Sequence, residues 1–506
     1  MVRAAGTGLR PRQTAPVALG ALVPGAAADV RVSGVTLDTR LVEPGDLFVG
    51  LPGRHHHGAT FAERAAAAGA VALLTDPAGA ALAGEVLPVA VVADPRHAMA
   101  GAAATVYGEP AAALTTFGIT GTQGKTTTAY LLDAALRASG TSTGLVGTVG
   151  FALDGRDLGG SRTTVTTPES PELQGLLGYL LEHGARALVM EVSSHALALG
   201  RVDAIVFDVA AFTGFGTDHL DFHGDVETYF EAKASLFTPE RARHAVVNVE
   251  DDRGPTLVTR ARAAGLEVTT TGFSRGADVH PVQIGPAAHG RTRLRVRVGA
   301  HEVETCLPLP GNHNVRNALT ALAMVAATDG DLEAAARGLE HASVPGRMQR
   351  VDLGPDAPAV FVDFAHTPQA VVAAIRALTD SYRVVAVLGA GGDRDPGKRG
   401  PMGAAAALFA DVVVVTDDNP RGEDPAAIRG QVLAGARDAA RVGVQVVDGG
   451  DRRSAIAEAL ALAGPDDAVV VLGKGHETGQ EIAGVVTPFA DPDVVRETWA
   501  VRRGAS

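Results

Sequence analysis

"FGITGTQGKTTT", residues 117–128, is the stretch on which the fold of this chain turns. It lies between the apolar run "ALTTFGIT" and the helix-like "TTAYLLDAALRASG", which Gly140 closes. Strand, glycine loop and helix in that order form a phosphate-binding loop. Backbone N–H groups and the helix N-terminus surround the phosphates, a lysine reaches the terminal ones and a hydroxyl ligates Mg²⁺. The spacing departs from a strict Walker A pattern, because the position five residues before the glycine of Gly-Lys is Ile119 and the extra glycine is Gly121. ATP is the expected ligand, with Gly121, Thr122, Gln123, Gly124, Lys125, Thr126 and Thr127 around its phosphates.

The 506 residues are too many for one core and suggest about three domains. At 46% hydrophobic and 20% charged residues the composition is that of a globular protein, and no apolar run is long enough to span a bilayer, so no membrane insertion is expected. Net charge is −13 without any Lys/Arg block, which argues against nucleic acid as a partner. The single cysteine, Cys306, forbids an internal disulfide and points to a reducing compartment; it reads as a buried strand residue, not a nucleophile. The first residues loosely mimic a signal peptide, but Pro16, Gly20 and Pro24 interrupt the apolar part. Residues 1–29 therefore read as a disordered leader and the protein as cytoplasmic, where ATP is available.

The coarse pattern is α/β in three domains. Residues 30–110 mix "DLFVGL" and "VALLTD" with the helix-like "TFAERAAAAGA", giving a small α/β domain. Residues 111–345 form a central P-loop ATPase-type domain, whose continuous apolar runs "ARALVMEVSSH", "DAIVFDVAAF" and "HAVVNVEDD" suit a buried parallel sheet. Within it "TRLRVRVGAHEVETCLPLP" alternates with period two, as a hairpin with one solvated face does. Residues 346–506 repeat strand, polar loop and helix, the pattern of a Rossmann-like doubly wound domain whose functional loops lie at the carboxyl ends of its strands.

Several residues are candidates on chemistry alone. Glu191 ends an apolar strand, where a carboxylate is costly unless it has a role, although a surface position at the strand end would also account for it. Asp218, His219, Asp221, His223 and Asp225 fall within eight residues and suggest an Mg²⁺ or phosphate site; zinc is disfavoured because no cysteine lies nearby. Lys233 alone reads as a solvated helix lysine, and "NHNVRN" as an N-cap region. "VVVVTDDNPRGED" is equally an Asx-Pro turn with solvated charges or a built polar site. "GAGGDRD" is not a dinucleotide fingerprint, since its sixth position is Arg394.

Taken together, "TGTQGKTTT", "EVSSHAL", "DHLDFHGDVETYFEAK", "GNHNVRNALTA", "VPGRMQ" and "VDFAHTPQA" occur in an order that resembles the Mur ligases, the ATP-dependent amino-acid ligases of bacterial cell-wall precursor synthesis. The matches run from about Asp38 to Glu477. The family loop carries its glycine where Gly121 stands, with Gln123 here replacing the commoner Asn.

The resemblance implies roles residue by residue. Lys125 and Thr126 handle phosphates and Mg²⁺, and Glu191 and His219 ligate magnesium. Lys233 matches a lysine carbamylated by CO₂ or bicarbonate, whose carbamate (N6-carboxylysine) helps hold a second metal. Asn314 and Asn317 fall on adenine contacts, and Arg347 and Asp363 complete the ATP site. Leu37, Thr39, Arg54, His55 and His56 match uridine-nucleotide contacts; Thr166, Thr167, Ser193 and Arg201 match residues that hold the muramoyl-dipeptide. Val165 and Leu199 depart from the family's Asn and Gln in that region, and Thr39 replaces a Ser. "DDNPR" resembles the signature of the members that add diaminopimelate, implying a site of Arg394, Asp418, Asn419, Pro420, Arg421, Gly473 and Glu477. An arginine there suits a substrate whose side chain bears a second carboxylate. The expected substrates are thus ATP, a UDP-muramoyl-dipeptide and diaminopimelate; a monomer is expected. The rival readings are a ligase with another acceptor, such as a folylpolyglutamate or cyanophycin synthetase, and a non-catalytic ATP-binding protein.

Overall fold

The structure, a computed structural model, describes residues 8–53, 55–159, 165–287 and 290–504. Backbone packing divides it into two compact units. The first takes in the chain up to Val282 together with Val296–Glu304 and Arg316–Leu339; the second takes in Gln283–Arg295, Thr305–Val315 and the chain from Glu340.

In the first unit, strands Gly34–Thr36, Asp46–Gly50, Ala72–Thr75 and Val89–Val91 pair in parallel and in chain order. Helices Ala62–Ala68 and Pro77–Ala83 make the crossovers, and Pro95–Val106 follows the last strand. Asp76 and Asp94 cap the latter two helices, each with proline just inside the start. Leu47, Leu74, Ala90 and Met99 form part of the core under this sheet.

The expected disordered leader is corrected here over residues 8–29. Val17–Ala18 pairs with Arg31–Val32, Leu19–Leu22 forms a helical turn, and Leu19 is fully buried. The Arg10 guanidinium donates to both carboxylate oxygens of the buried Asp46, at 2.8 and 2.9 Å. Leu19 and Val23 supply apolar anchors, and a low average hydrophobicity concealed them.

The larger sheet of this unit sets strands Thr143–Gly147, Ala187–Glu191, Thr115–Thr120, Phe207–Phe212, Ala242–Asn248 and Glu267–Thr271 side by side, all parallel. The strand that feeds the phosphate loop lies inside this sheet, flanked by Ala187–Glu191 and Phe207–Phe212. Both faces are covered, so these strands read as apolar runs instead of alternating. The loops after residues 120, 191 and 212 consequently emerge together at one edge. Strands Thr292–Val298 and His301–Leu307 alternate buried and exposed side chains, as their sequence pattern predicts. Cys306 lies in the second of them and is half-buried, not buried, because it falls on the less enclosed face.

The second unit carries strands Gln349–Val351, Ala359–Asp363, Ala468–Leu472, Val384–Leu388, Val412–Thr416 and Gln445–Gly450 in that spatial order, parallel except for the first. Helices Pro368–Thr379, Arg399–Phe409, Pro425–Ala439 and Arg452–Leu462 alternate with the strands along the chain. This is the doubly wound arrangement expected. Asp363, Arg394, Asp418 to Arg421 and Gly473 to Glu477 all lie at or just beyond the carboxyl ends of strands.

Candidate active site

Strand Thr115–Thr120, a four-residue loop and helix Lys125–Ala138 reproduce the phosphate-loop geometry. Gly121 has φ +150, and a Cβ there would lie 2.1 Å from the Thr213 hydroxyl oxygen. The glycine at 121 answers the close approach of the neighbouring strand's loop. Thr122 crosses to that loop as well, accepting from Gly216 N–H at 2.9 Å. The Lys125 ammonium donates to the carbonyls of Gly121 (2.9 Å) and Thr122 (3.2 Å).

Glu191 is buried, which excludes the surface reading. Its carboxylate accepts from the Thr126 hydroxyl (2.9 Å) and the Thr148 N–H (2.8 Å), and the Thr148 hydroxyl lies 3.0 Å away. Thr148 also stands 3.1 Å from the Thr166 hydroxyl. Thr167 donates to the Glu191 carbonyl (2.9 Å) and accepts from Ser193 N–H (3.1 Å), while Arg201 donates to the Thr167 carbonyl (3.1 Å). Thr126, Glu191, Thr166, Thr167, Ser193 and Arg201 are therefore one connected cluster. Arg201 also pairs with Glu169, which holds Arg96 on its other oxygen.

Lys233 is buried on helix Val226–Ala234, against the solvated reading. Its ammonium donates to the Gly121 carbonyl at 2.9 Å and stands 4.5 Å from the centre of the Tyr229 ring. Burial, and then the nearby Lys125 charge, push its pKa well below the usual lysine range. Tyr229, absent from the sequence-derived set, is central here. Its hydroxyl lies 3.1 Å from Thr122, and burial pushes its pKa up to about 12. The signal was available, since Tyr229 and Lys233 stand at i and i+4 on one helical face. Thr148 carried no such signal.

His219 has φ +52 and a half-exposed side chain, edge-on to His195 at 4.8 Å and to Tyr229 at 6.1 Å. Of its acidic neighbours, Asp225 is spent capping the following helix, and the buried His223 bonds Ser194 at 3.0 Å. Among the described residues no three His, Cys, Asp or Glu side chains gather in metal-holding geometry. The oxygen pair Thr126 and Glu191, hard donors in a buried setting, does fit Mg²⁺.

Helix Asn312–Ala326 begins at the first residue of "NHNVRN", so the stretch is a helix N-terminus as its pattern suggests, with Asn314 and Asn317 in the opening turns. The Asn317 amide oxygen accepts from Thr128 of the phosphate-loop helix at 3.3 Å, and Asn314 donates to the Pro310 carbonyl at 2.7 Å. In the second unit Asp363 accepts from the N–H groups of Met348 (2.7 Å) and Ala365 (2.9 Å), and burial raises its pKa. Arg347 stacks on Phe364 at 4.6 Å.

Leu37 and Thr39 follow one strand of the small sheet, and His55 and His56 follow its neighbour. Arg54 lies outside the described residues. His57 steadies that second loop by accepting from Ala59 N–H and meeting Asp76, both at 3.1 Å.

The second unit gathers the remaining candidates. Asn419 donates to Glu477 at 2.8 Å, and Gly473 (φ +113) leaves room for Asp418, whose Oδ2 would lie 2.3 Å from a Cβ there. Arg421 donates to the Gly392 carbonyl at 2.7 Å, and both it and Arg394 flank Gly391. Asn419 and Pro420 are buried, which excludes a merely solvated turn. Below them Arg452 and Asp491 form a fully buried pair (2.7 Å), and Arg452 also holds the Leu472 carbonyl at 3.0 Å. Arg399, likewise buried, joins the two loops through Glu423. Neither arginine stood out in the sequence.

A phosphate-loop domain and a doubly wound domain in one chain, each with a polar cluster at its strand ends, have the architecture of a nucleotide-using enzyme. The chain belongs to the Mur ligase family. Residues 31–107 match the model described as Mur ligase family, catalytic domain; residues 119–325 match the Mur ligase middle domain; residues 346–475 match the Mur ligase, glutamate ligase domain. It is 47% identical over 501 residues, 96% of each chain, to a UDP-N-acetylmuramoyl-L-alanyl-D-glutamate–2,6-diaminopimelate ligase of Streptomyces coelicolor. It is 42% identical, over 98% of each chain, to a UDP-N-acetylmuramyl-tripeptide synthetase of Leifsonia xyli. A solved structure of a UDP-N-acetylmuramoyl-L-alanyl-D-glutamate–2,6-diaminopimelate ligase superposes with a TM-score of 0.72 at 30% identity, over 97% of this chain and 100% of the other.

Proposed function

We propose that the chain is an ATP-dependent ligase that joins diaminopimelate to UDP-N-acetylmuramoyl-L-alanyl-D-glutamate in peptidoglycan precursor synthesis. The observation that carries this reading is the 2.8 Å hydrogen bond from Asn419 to Glu477, which draws "DDNPR" and "GKGHE" into one cluster. That cluster offers guanidinium groups, from Arg394 and Arg421, for a second carboxylate, and carboxylates, from Asp418 and Glu477, for an ammonium. The side-chain head group of diaminopimelate carries both.

The carboxylate of the dipeptide attacks the γ-phosphorus of ATP, giving an acyl phosphate and ADP. The diaminopimelate amine then attacks the acyl carbon, and the tetrahedral intermediate expels phosphate. No protein nucleophile is needed, so catalysis rests on positioning and charge neutralisation. The backbone of residues 121–124 and Lys125 cradle the phosphates, and Thr166, Thr167, Ser193 and Arg201 orient the dipeptide beside them. Thr126 and Glu191 would hold Mg²⁺, which would supply positive charge beside the transferred phosphoryl group. The depressed pKa of Lys233 supports its carbamylation, because only a neutral amine adds to CO₂; the new N–C bond releases one proton and leaves a carboxylate. Dependence on ATP fits a cytoplasmic site of action, and no described helix is long and apolar enough to cross a membrane.

ADP release is measured with ATP, Mg²⁺, bicarbonate and the UDP-dipeptide, across LL- and meso-diaminopimelate, lysine and ornithine. Release that depends on a diaminopimelate isomer is expected; a folded protein that turns over only with lysine or ornithine, or not at all, overturns the proposal.

A further inference from the structure

The hairpin formed by Gly479–Ile482 and Val485–Pro488 is zipped onto the "DDNPR" loop. Arg421 N–H donates to the Glu481 carbonyl (3.0 Å), and Ala483 N–H donates to the Arg421 carbonyl (2.7 Å). Glu481 N–H donates to the Asn419 side chain (2.9 Å), and the Gln480 amide donates to the Asp418 carbonyl (2.7 Å). The backbone of Glu481 is thus fixed against Arg421, which itself holds φ +52. Its side chain is held differently. One carboxylate oxygen stands 3.7 Å from Arg421 Nε, too far for a hydrogen bond, and the side chain is 39% exposed. A rigid mount therefore presents a loosely held carboxylate to the guanidinium.

We propose that Glu481 is a specificity-determining residue, an internal carboxylate that competes with the substrate's second carboxylate for Arg421. This rests on the reading that Arg421 receives that carboxylate. With the substrate absent, Glu481 neutralises part of the Arg421 charge. A carboxylate arriving at the guanidinium meets like charge and must displace Glu481, whereas an amino acid without a second carboxylate meets no such opposition. Glu481 consequently holds the affinity for diaminopimelate below what Arg421 alone would give.

The test is the KM for diaminopimelate of Glu481→Gln and Glu481→Ala, beside Arg421→Ala, at low and at raised ionic strength. Both Glu481 variants keep the backbone zipper, and thermal melting checks that they do. The expected result is a KM for diaminopimelate lowered about two- to five-fold at low salt, as befits a partly exposed ion pair. The gain shrinks as salt rises, and the KM values for ATP and the UDP-dipeptide stay in place. If Arg421→Ala raises the KM for diaminopimelate while Glu481→Gln leaves it unchanged or raises it, the competition is overturned and the site reading stands. If Arg421→Ala leaves that KM unchanged, the site reading itself falls and the competition with it.

Discussion

Lys125 and Lys233 donate to one acceptor, the carbonyl oxygen of Gly121, each at 2.9 Å. Burial first, and then repulsion from the Lys125 ammonium on the same oxygen, weakens the hold of Lys233 on its proton. In the unfolded chain the lysine holds its proton up to its ordinary value of 10.5, so between the two pKa values the unfolded state binds more protons and stability rises with pH. Lys233→Met should abolish ligase turnover and also flatten that rise, with melting followed from pH 7 to 10 as the check. The wild-type protein, analysed intact in bicarbonate, should carry one added CO₂ that acid removes and Lys233→Met lacks.

Glu191 makes the complementary case. A buried carboxylate whose oxygens meet Thr126 and Thr148 is pre-set as an acceptor, and Glu191→Gln turns one of those oxygens into a donor. ADP release should fall by at least about 10²-fold, the usual cost of losing one preorganised electrostatic group, while the circular dichroism spectrum is unchanged. Activity within a few-fold of wild type would contradict a role at the phosphates.

The contrast between these residues shows what the chain makes legible. The loop glycines, the apolar strands and the α/β order could be read because they follow local rules of spacing and periodicity. Glu191 stood out because a charge at the end of an apolar strand is costly. Lys233 did not, since an isolated helical lysine is ordinarily solvated and only its place beneath Gly121 makes it unusual. Thr148, Arg399 and Arg452 were invisible for the same reason: their carboxylate partners lie 24 to 43 residues away, brought close only by the fold. The leader was misread because Leu19 and Arg10 find their burial and their partner in a domain whose packing no local window reports.

Arg421 should separate binding from chemistry. Its guanidinium is anchored on one side by the Gly392 carbonyl, leaving further N–H groups for a carboxylate. Removing a charge-assisted bidentate contact costs roughly 1.5–3 kcal/mol, so Arg421→Ala should raise the KM for diaminopimelate about 10- to 150-fold. The KM for ATP should hold. Equal losses across all three substrates would instead mean a collapsed loop.

Arg10 tests the leader. It donates to both carboxylate oxygens of Asp46, whose side chain is 2% exposed and which otherwise accepts only a neutral backbone bond, from Glu43 N–H at 2.9 Å. Arg10→Met leaves that charge buried without its cation, which should cost about 3–5 kcal/mol in urea unfolding. Arg10→Met combined with Asp46→Asn should recover much of the loss, whereas a disordered leader would tolerate either change.

Glu172 gives a pH dependence of opposite sign to that of Lys233. It sits in the first turn of helix Ser170–Glu182, where burial and then the Glu169 charge push its pKa up to about 7 from the ordinary 4.5, against the pull of Arg201. The folded state therefore binds the proton more tightly, and stability falls as pH rises from about 4.5 to 7. Glu172→Gln removes that cost, so the variant should be the more stable protein at pH 8, by about 1–3 kcal/mol, with little advantage at pH 4.5. Because Glu172 feels Arg201 and Asp38, beside the residues assigned to the anionic UDP-dipeptide, its ionisation should also weaken that substrate. The KM for the UDP-dipeptide should climb through pH 7 in the wild type and climb less in Glu172→Gln. Urea unfolding and KM measured in parallel at pH 5, 6, 7 and 8 decide the matter, and parallel stability curves for the two proteins would contradict it.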